Sequence, residues 1–295
     1  MTHEIPLKFG SRNSSRARAS VDLILTRPLA NECYIQEFMV DRRELNKAES
    51  ASWPLSARIL KAFSRPTEAA GGTERHVGDH ALDFLLQTVP GFLEVIKGKS
   101  VLDYGCGLGD QVLAMKRAGA GRVVGFDVFP KFPAGQHGVE FTTEVPAERF
   151  DIVLSSSAFE HFADPEGEFA KMRRLTGQKL IISWAEPWFS HDGSHMGNFT
   201  YVPWVNLLFP ERSVMLVRSL YRDDGAMSYE TCGLGGAVNR MTVRRFERII
   251  KASGMRIEYL RNYATRGLPL VTHIPVVREL LTSACTCILS PTAQD

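Results

Sequence analysis

Val101-Leu102-Asp103-Tyr104-Gly105-Cys106-Gly107-Leu108-Gly109 is the stretch on which the reading of this chain turns. An apolar run leads into an acid, three glycines follow at alternate positions, and Asp110-Gln111-Val112-Leu113-Ala114-Met115-Lys116 reads as helix. Strand, Gly-rich turn and helix N-terminus in that order are the layout of a nucleotide-type cofactor site in an α/β sheet. Glycine is needed because the backbone must turn sharply with positive φ and let a ligand come close. The amides at the start of the following helix then face an anionic group. Taken alone, the same turn also fits an ordinary βα loop.

The spacing separates cofactors. A dinucleotide fingerprint wants its third glycine three residues after the second, but position 110 is Asp. The pattern here is Asp-x-Gly-x-Gly-x-Gly, from Asp103 to Gly109. A second strand, Gly121-Arg122-Val123-Val124-Gly125-Phe126, ends at Asp127, an acid suited to hydrogen-bond two ribose hydroxyls or, more plainly, to make a turn. Later, Phe150-Asp151-Ile152-Val153-Leu154-Ser155-Ser156-Ser157-Ala158-Phe159-Glu160-His161-Phe162-Ala163-Asp164-Pro165 runs from a strand into a polar loop and a helix start. Together these stretches resemble the class I S-adenosylmethionine-dependent methyltransferases, in particular the broad small-molecule group with a type 11-like domain. The resemblance covers Leu82 to Ser183, about a third of the chain.

The resemblance implies a Rossmann-like sheet of seven strands, mostly parallel with the last antiparallel, and helices on both faces. An N-terminal extension over residues 1–75 and a methyltransferase domain over 76–295 are expected, with a substrate-covering insertion at about 184–240. The implied cofactor is S-adenosyl-L-methionine. Asp103, Gly105, Gly107 and Gly109 would surround its amino-acid end, with Tyr104 beside them. Asp127 would take the ribose hydroxyls, flanked by Val128 and Phe129, while Ser156 and Phe159 would line the cofactor mouth. Relatives place a helix after the second strand. Here Phe129-Pro130-Lys131-Phe132-Pro133-Ala134-Gly135 carries two prolines, so a loop is expected instead.

Methyl transfer is an in-line displacement in which the protein positions the acceptor and, for a hydroxyl, supplies a base. His161 falls near the C-terminal edge of the fourth strand, where open α/β sheets place their sites, either as a base or as a pocket wall. His191-Asp192-Gly193-Ser194-His195 follows the fifth strand at the same edge, and His195 is the first choice of base, with His191 beside it. Some quinone-pathway methyltransferases carry Glu-x-x-Glu-His at the first of these places and bind a metal. The first carboxylate is missing from Ser157-Ala158-Phe159-Glu160-His161, so no metal is expected. The imidazoles favour methylation of a hydroxyl oxygen on a small-molecule acceptor. The alternative is a catalytically silent cofactor-binding or interaction protein of the same fold. An Asn/Asp-Pro-Pro-Tyr/Phe segment for nucleic-acid amino groups is lacking at Ser155-Ser156-Ser157-Ala158.

Bulk properties narrow the rest. The 295 residues are 44% hydrophobic, enough to bury a full core, and 35 basic against 33 acidic residues are too balanced to argue for nucleic acid. Apolar runs stay short of a transmembrane span, and the start of the chain has no secretory pattern. Five cysteines at 33, 106, 232, 285 and 287 form no Cys-x-x-Cys pair, as expected of a reduced cytoplasmic protein. Residues 1–20 are basic and Ser-rich, readable as a solvated tail or an organelle transit peptide. Helical patterns from Val21 to Phe63 and a linker from Arg65 to Gly72 should pack on the domain or on its substrate mouth. The segment Tyr201-Phe209 has three readings: core packing, a grip on a lipophilic acceptor, or peripheral membrane contact. Oligomeric state is left open.

Overall fold

The computed structural model describes residues 52–65, 78–129, 132, 138–222, 225–232, 237–265 and 274–292. Expectations for the N-terminal tail, for most of the pattern from Val21 to Phe63, for the bulk of the Arg65–Gly72 linker and for Cys33 lie outside these residues.

Seven strands form one sheet: β1 (Val101–Tyr104), β2 (Val123–Phe126), β3 (Glu140–Thr142), β4 (Phe150–Ser156), β5 (Thr176–Ala185), β6 (Arg256–Ala264) and β7 (Thr282–Ser290). Their order is β3-β2-β1-β4-β5-β7-β6. The first five are mutually parallel, and β7 runs antiparallel between β5 and β6. The chain order reverses between β1 and β4, so their C-terminal ends open a crevice of the kind that holds ligands in α/β sheets.

Alternation along the strands builds two cores, because successive side chains point to opposite faces. Leu102, Tyr104, Val124, Phe126, Val153, Leu180, Ile182 and Trp184 share one face with Phe169 and Met172 of α5 (Pro165–Leu175) and Phe246 and Ile250 of α8 (Val243–Ala252). Val101, Val123, Ile152, Leu154 and Ile181 take the other, under Leu85, Phe92, Val112 and Met115. The opposite cover comes from α2 (Asp83–Thr88), α3 (Phe92–Ile96) and α4 (Asp110–Arg117). Gly91, at φ 62°, separates α2 from α3.

The starts of α5 and α8 have direct physical causes. The Asp164 carboxylate accepts from the Gly167 N–H at 3.0 Å and Pro165 follows it, so α5 starts with a side-chain cap and a pre-set φ. The Thr242 hydroxyl accepts from the Arg245 N–H at 3.0 Å and begins α8, and Gly254 at φ 72° follows its end. Cys285 and Cys287 face the same core from β7, as alternation predicts. The loop expected over Phe129–Gly135 falls mostly outside the described residues. None of the described helices is long and apolar enough to cross a membrane.

Between β5 and α8 the chain builds a third core from Met196, Phe199, Val205, Val214, Met215, Val217, Tyr229 and Val238. This insertion contains α6 (Val205–Leu208) and α7 (Glu211–Arg218). It is joined by α1 (Leu55–Ala62), whose Leu60 is buried in the same cluster. The Ser56 and Ser213 hydroxyls meet at 2.8 Å, and the Arg65 N–H donates to the Phe199 carbonyl at 2.8 Å. Residues 52–65 therefore pack against the segment between β5 and α8.

Candidate functional site

The crevice between β1 and β4 has the Gly-rich turn as one wall. The Gly105 and Cys106 N–H groups both donate to the Phe126 carbonyl, at 2.8 and 3.0 Å, and so tie the turn to the end of β2. Gly105 sits at φ 83°, and a Cβ there would stand 2.7 Å from the Ala158 Cβ. Gly107, at φ 56°, has nothing within 4 Å of a Cβ and faces open space. Gly109, at φ 86°, is the backbone cap of α4.

Two carboxylates flank this turn. Asp127 accepts from the Gly107 N–H at 2.8 Å and from the Phe129 N–H at 3.0 Å, so it braces the turn from β2. Val128 and Phe129 beyond it are exposed. Asp103 is buried at the end of β1 and its Oδ2 has no hydrogen-bond partner. Burial, reinforced by the Asp127 charge, pushes its pKa from 3.8 up to about 7. A buried acid of this kind is suited to a cationic ligand group that would restore its ionised form.

From β4, Ser156 is buried, and its hydroxyl accepts from the Gln111 side-chain amide at 3.3 Å. Gln111 Oε1 is buried without a partner. Sequence reasoning read Gln111 only as a helical residue. Its place in the first turn of α4 was the available signal, since that turn overhangs the crevice. Tyr104 and Phe159 turn away from the crevice. The Tyr104 ring lies 4.6 Å from that of Phe126, and its hydroxyl donates to Glu168 at 2.5 Å. Phe159 is fully buried against Phe246 and Phe162. Both side chains belong to the core beneath the site.

A second group of polar residues gathers at the ends of β4 and β5. His161 and His195 meet edge to face, with ring centroids 5.0 Å apart. His161 Nδ1 lies 2.5 Å from the Ala237 carbonyl, which can only accept, so Nδ1 carries the proton and Nε2 is the basic nitrogen. His195 Nε2 stands 3.5 Å from Glu186 Oε2. Burial, and to a lesser degree the neighbouring His161, lowers the His195 pKa from 6.5 to about 3, so this imidazole is neutral at physiological pH. Burial likewise raises the pKa of Glu160. His191 is apart from the pair, bonded to Asp192 at 2.8 Å with its ring 6.2 Å from that of Trp204.

Backbone strain concentrates at the same edge. Among the described residues, Ser157, Glu186, His195, Trp204 and Arg240 are the non-glycine positions with positive φ, between 50° and 59°. Ser157 follows β4, Glu186 follows β5, and the other three lie in the insertion or at its return. Left-handed conformations cost a non-glycine residue about 1 kcal/mol and collect where function over-determines the backbone. Among the described residues, no group of three or more His, Cys, Asp or Glu side chains is arranged to hold a metal ion.

A family model described as a methyltransferase domain matches residues 75–258. The chain belongs to this methyltransferase family. Its sheet has the class I methyltransferase fold, and the unpartnered Asp103 Oδ2, the open Gly107 and the Asp127 carboxylate suit S-adenosylmethionine. The chain is 35% identical over 98 residues to a ribosomal protein L11 methyltransferase from Methylobacillus flagellatus, covering 30% of this chain and 31% of that protein. A protein of the same name from Burkholderia mallei is 35% identical over 85 residues, or 25% of this chain and 26% of that one. The chain thus spans about a third of the length of these relatives or less. Among solved structures, it is similar to the magnesium protoporphyrin IX methyltransferase of Synechocystis PCC 6803 with bound SAH. That match has 15% identity and a TM-score of 0.43 and covers 88% of this chain and 97% of that one.

Proposed function

We propose that this methyltransferase transfers its methyl group to a hydroxyl oxygen of a small-molecule acceptor, held between the ends of β4 and β5 and the insertion. The carrying observation is the convergence of His161 and His195, 5.0 Å apart, beneath a segment that has a hydrophobic core of its own. A hydroxyl is a poor nucleophile until its proton has somewhere to go, and imidazole is the side chain suited to take it near neutral pH.

In this reading residues 76–295 form the methyltransferase domain, with 1–75 as its extension. Asp103 and the glycines of the Gly105–Gly109 turn would surround the amino-acid end of the cofactor, and Asp127 would take the ribose hydroxyls beside Val128 and Phe129. Ser156 and Gln111 line the crevice, whereas Tyr104 and Phe159 support it from the core. S-adenosylmethionine supplies an electrophilic methyl group on a positively charged sulfur when bound. His161 accepts the hydroxyl proton at Nε2, since the Ala237 carbonyl fixes its Nδ1–H. His195, although the first choice from sequence, is too weak a base with its pKa lowered to about 3. Its part is to wall the site with a neutral ring, because an imidazolium there would repel the cationic cofactor. His191 holds the insertion loop through Asp192 and Trp204.

A second reading is methylation of a protein, favoured by the 35% identity over 98 residues to a ribosomal protein L11 methyltransferase. The deciding experiment supplies methyl-labelled S-adenosylmethionine with a panel of hydroxyl-bearing small molecules in one arm and ribosomal protein L11 in the other. Label in a small molecule, lost in His161→Ala, supports the first reading. Label in L11 alone, retained in His161→Ala, overturns it.

A further inference from the structure

The histidine pair is gripped from the far end of the insertion, and one residue does most of the gripping. The turn that carries His161, Phe159–His161, is a single turn of 3-10 helix whose carbonyl groups find few partners within it. Asn239 takes two of them and the carbonyl of the following Phe162. Its side-chain amide donates to the Phe159 carbonyl at 2.9 Å and to the Phe162 carbonyl at 2.8 Å. Its backbone N–H donates to the Glu160 carbonyl at 2.9 Å. Two residues earlier, the Ala237 carbonyl receives the His161 Nδ1–H.

The next residue fixes this segment in turn. Arg240 has φ 54° and reaches both carboxylate oxygens of Glu211 on α7, at 3.1 and 3.2 Å. Its guanidinium carbon lies 5.2 Å from the centre of the Trp188 ring. The 237–240 segment is thus anchored to the insertion on one side and bonded to the His161 turn on the other. A substitution in it would be felt at the imidazole without touching substrate or cofactor.

We propose that Asn239 is a positioning residue: it locks the Phe159–His161 turn to the insertion so that the Ala237 carbonyl keeps His161 as its Nδ1–H tautomer with Nε2 available as the base. The proposal rests on the reading that His161 takes the acceptor proton. Its physical content, which is the orientation and tautomer of one ring, is measurable without any acceptor. Removing the amide leaves the Phe159 and Phe162 carbonyls without their donor, and the turn relaxes away from residue 237. The unbound imidazole then samples both tautomers.

The test uses the full-length protein labelled with 15N-histidine. Ring-nitrogen spectra at alkaline pH are compared for the wild type, Asn239→Ala and Asn239→Gln, with exposed His80 as an internal reference. Calorimetric binding of S-adenosylhomocysteine, unchanged within about twofold, shows that each variant remains folded. The expected result is a single Nδ1–H pattern for His161 in the wild type and a mixture in Asn239→Ala. Asn239→Gln, which keeps the amide on a longer arm, should recover part of the wild-type pattern. With the acceptor from the labelling screen, kcat in Asn239→Ala should fall roughly tenfold to a hundredfold while the KM for S-adenosylmethionine holds, the signature of a misplaced group. A His161 pattern identical in all three proteins overturns the proposal. Full activity in His161→Ala would refute the base reading instead, and the tautomer result would stand or fall by itself.

Discussion

Replacing Asp103 with Asn should stabilise the cofactor-free protein and cripple its affinity for cofactor. Asp103 is buried, its Oδ2 has no partner, and its pKa rises from 3.8 to about 7 through burial first and the Asp127 charge second. Its folded-state pKa lies above its unfolded value. The stability associated with its protonated form is therefore fully present below pH 3.8 and is lost as pH rises through about 7. At 1.36 kcal/mol per pH unit, the cost of ionising it in the folded state approaches about 4 kcal/mol above neutral pH. Asn has the same shape and no charge to bury. The assay is urea unfolding of the cofactor-free wild type and Asp103→Asn at intervals from pH 4 to pH 8. Subtracting the two curves removes every other titrating group. The difference should move in favour of the Asn chain across that window by up to about 4 kcal/mol and then level off. Calorimetry on the same samples should show S-adenosylhomocysteine binding weakened by at least about tenfold, since a buried charge with no partner of its own is lost to the ligand. A stability difference that stays constant from pH 4 to pH 8 would refute the reasoning, because Asp103 would then carry no burial penalty.

Three further outcomes follow from the same geometry. Asp127→Ala removes the acceptor of the Gly107 and Phe129 N–H groups, at 2.8 and 3.0 Å, and should weaken S-adenosylhomocysteine binding by about ten- to a hundredfold in a calorimetric titration. Gly105→Ala must hold φ 83° and place a methyl 2.7 Å from the Ala158 Cβ. The combined strain and overpacking should cost about 3 kcal/mol in urea unfolding, and a loss under about 1 kcal/mol would mean that the turn gives way easily. Phe246→Ala empties a fully buried site whose ring lies 5.4 Å from that of Trp184 and 5.6 Å from that of Phe159. It should cost about 3–5 kcal/mol of stability while leaving cofactor affinity nearly unchanged in whatever fraction remains folded.

The elements legible in sequence were those whose signals are local. The turn from Asp103 to Gly109 requires glycine because of its positive φ values, and Asp164-Pro165 and Thr242 announce helix starts through caps that reach only three residues ahead. Strand alternation puts Cys285 and Cys287 on one face of β7. The fold and the cofactor came from the family resemblance that the Asp103–Gly109, Asp127 and Phe150–Pro165 stretches carry.

Side-chain direction and long-range contact were decided only by the tertiary structure. Tyr104 and Phe159 adjoin the site in sequence, yet strand alternation and the packing of α8 turn both into the core. Gln111 reaches the crevice because α4 starts where β1 and β4 diverge, a fact about two strands about fifty residues apart in sequence. The balance between His161 and His195 rests on burial and on a carbonyl 76 residues away, neither of which leaves a mark on the composition around either histidine. Sequence determines what each residue is able to do over the span of a turn or a cap. Folding determines which of them meet, how dry their meeting place is, and therefore which imidazole remains a base.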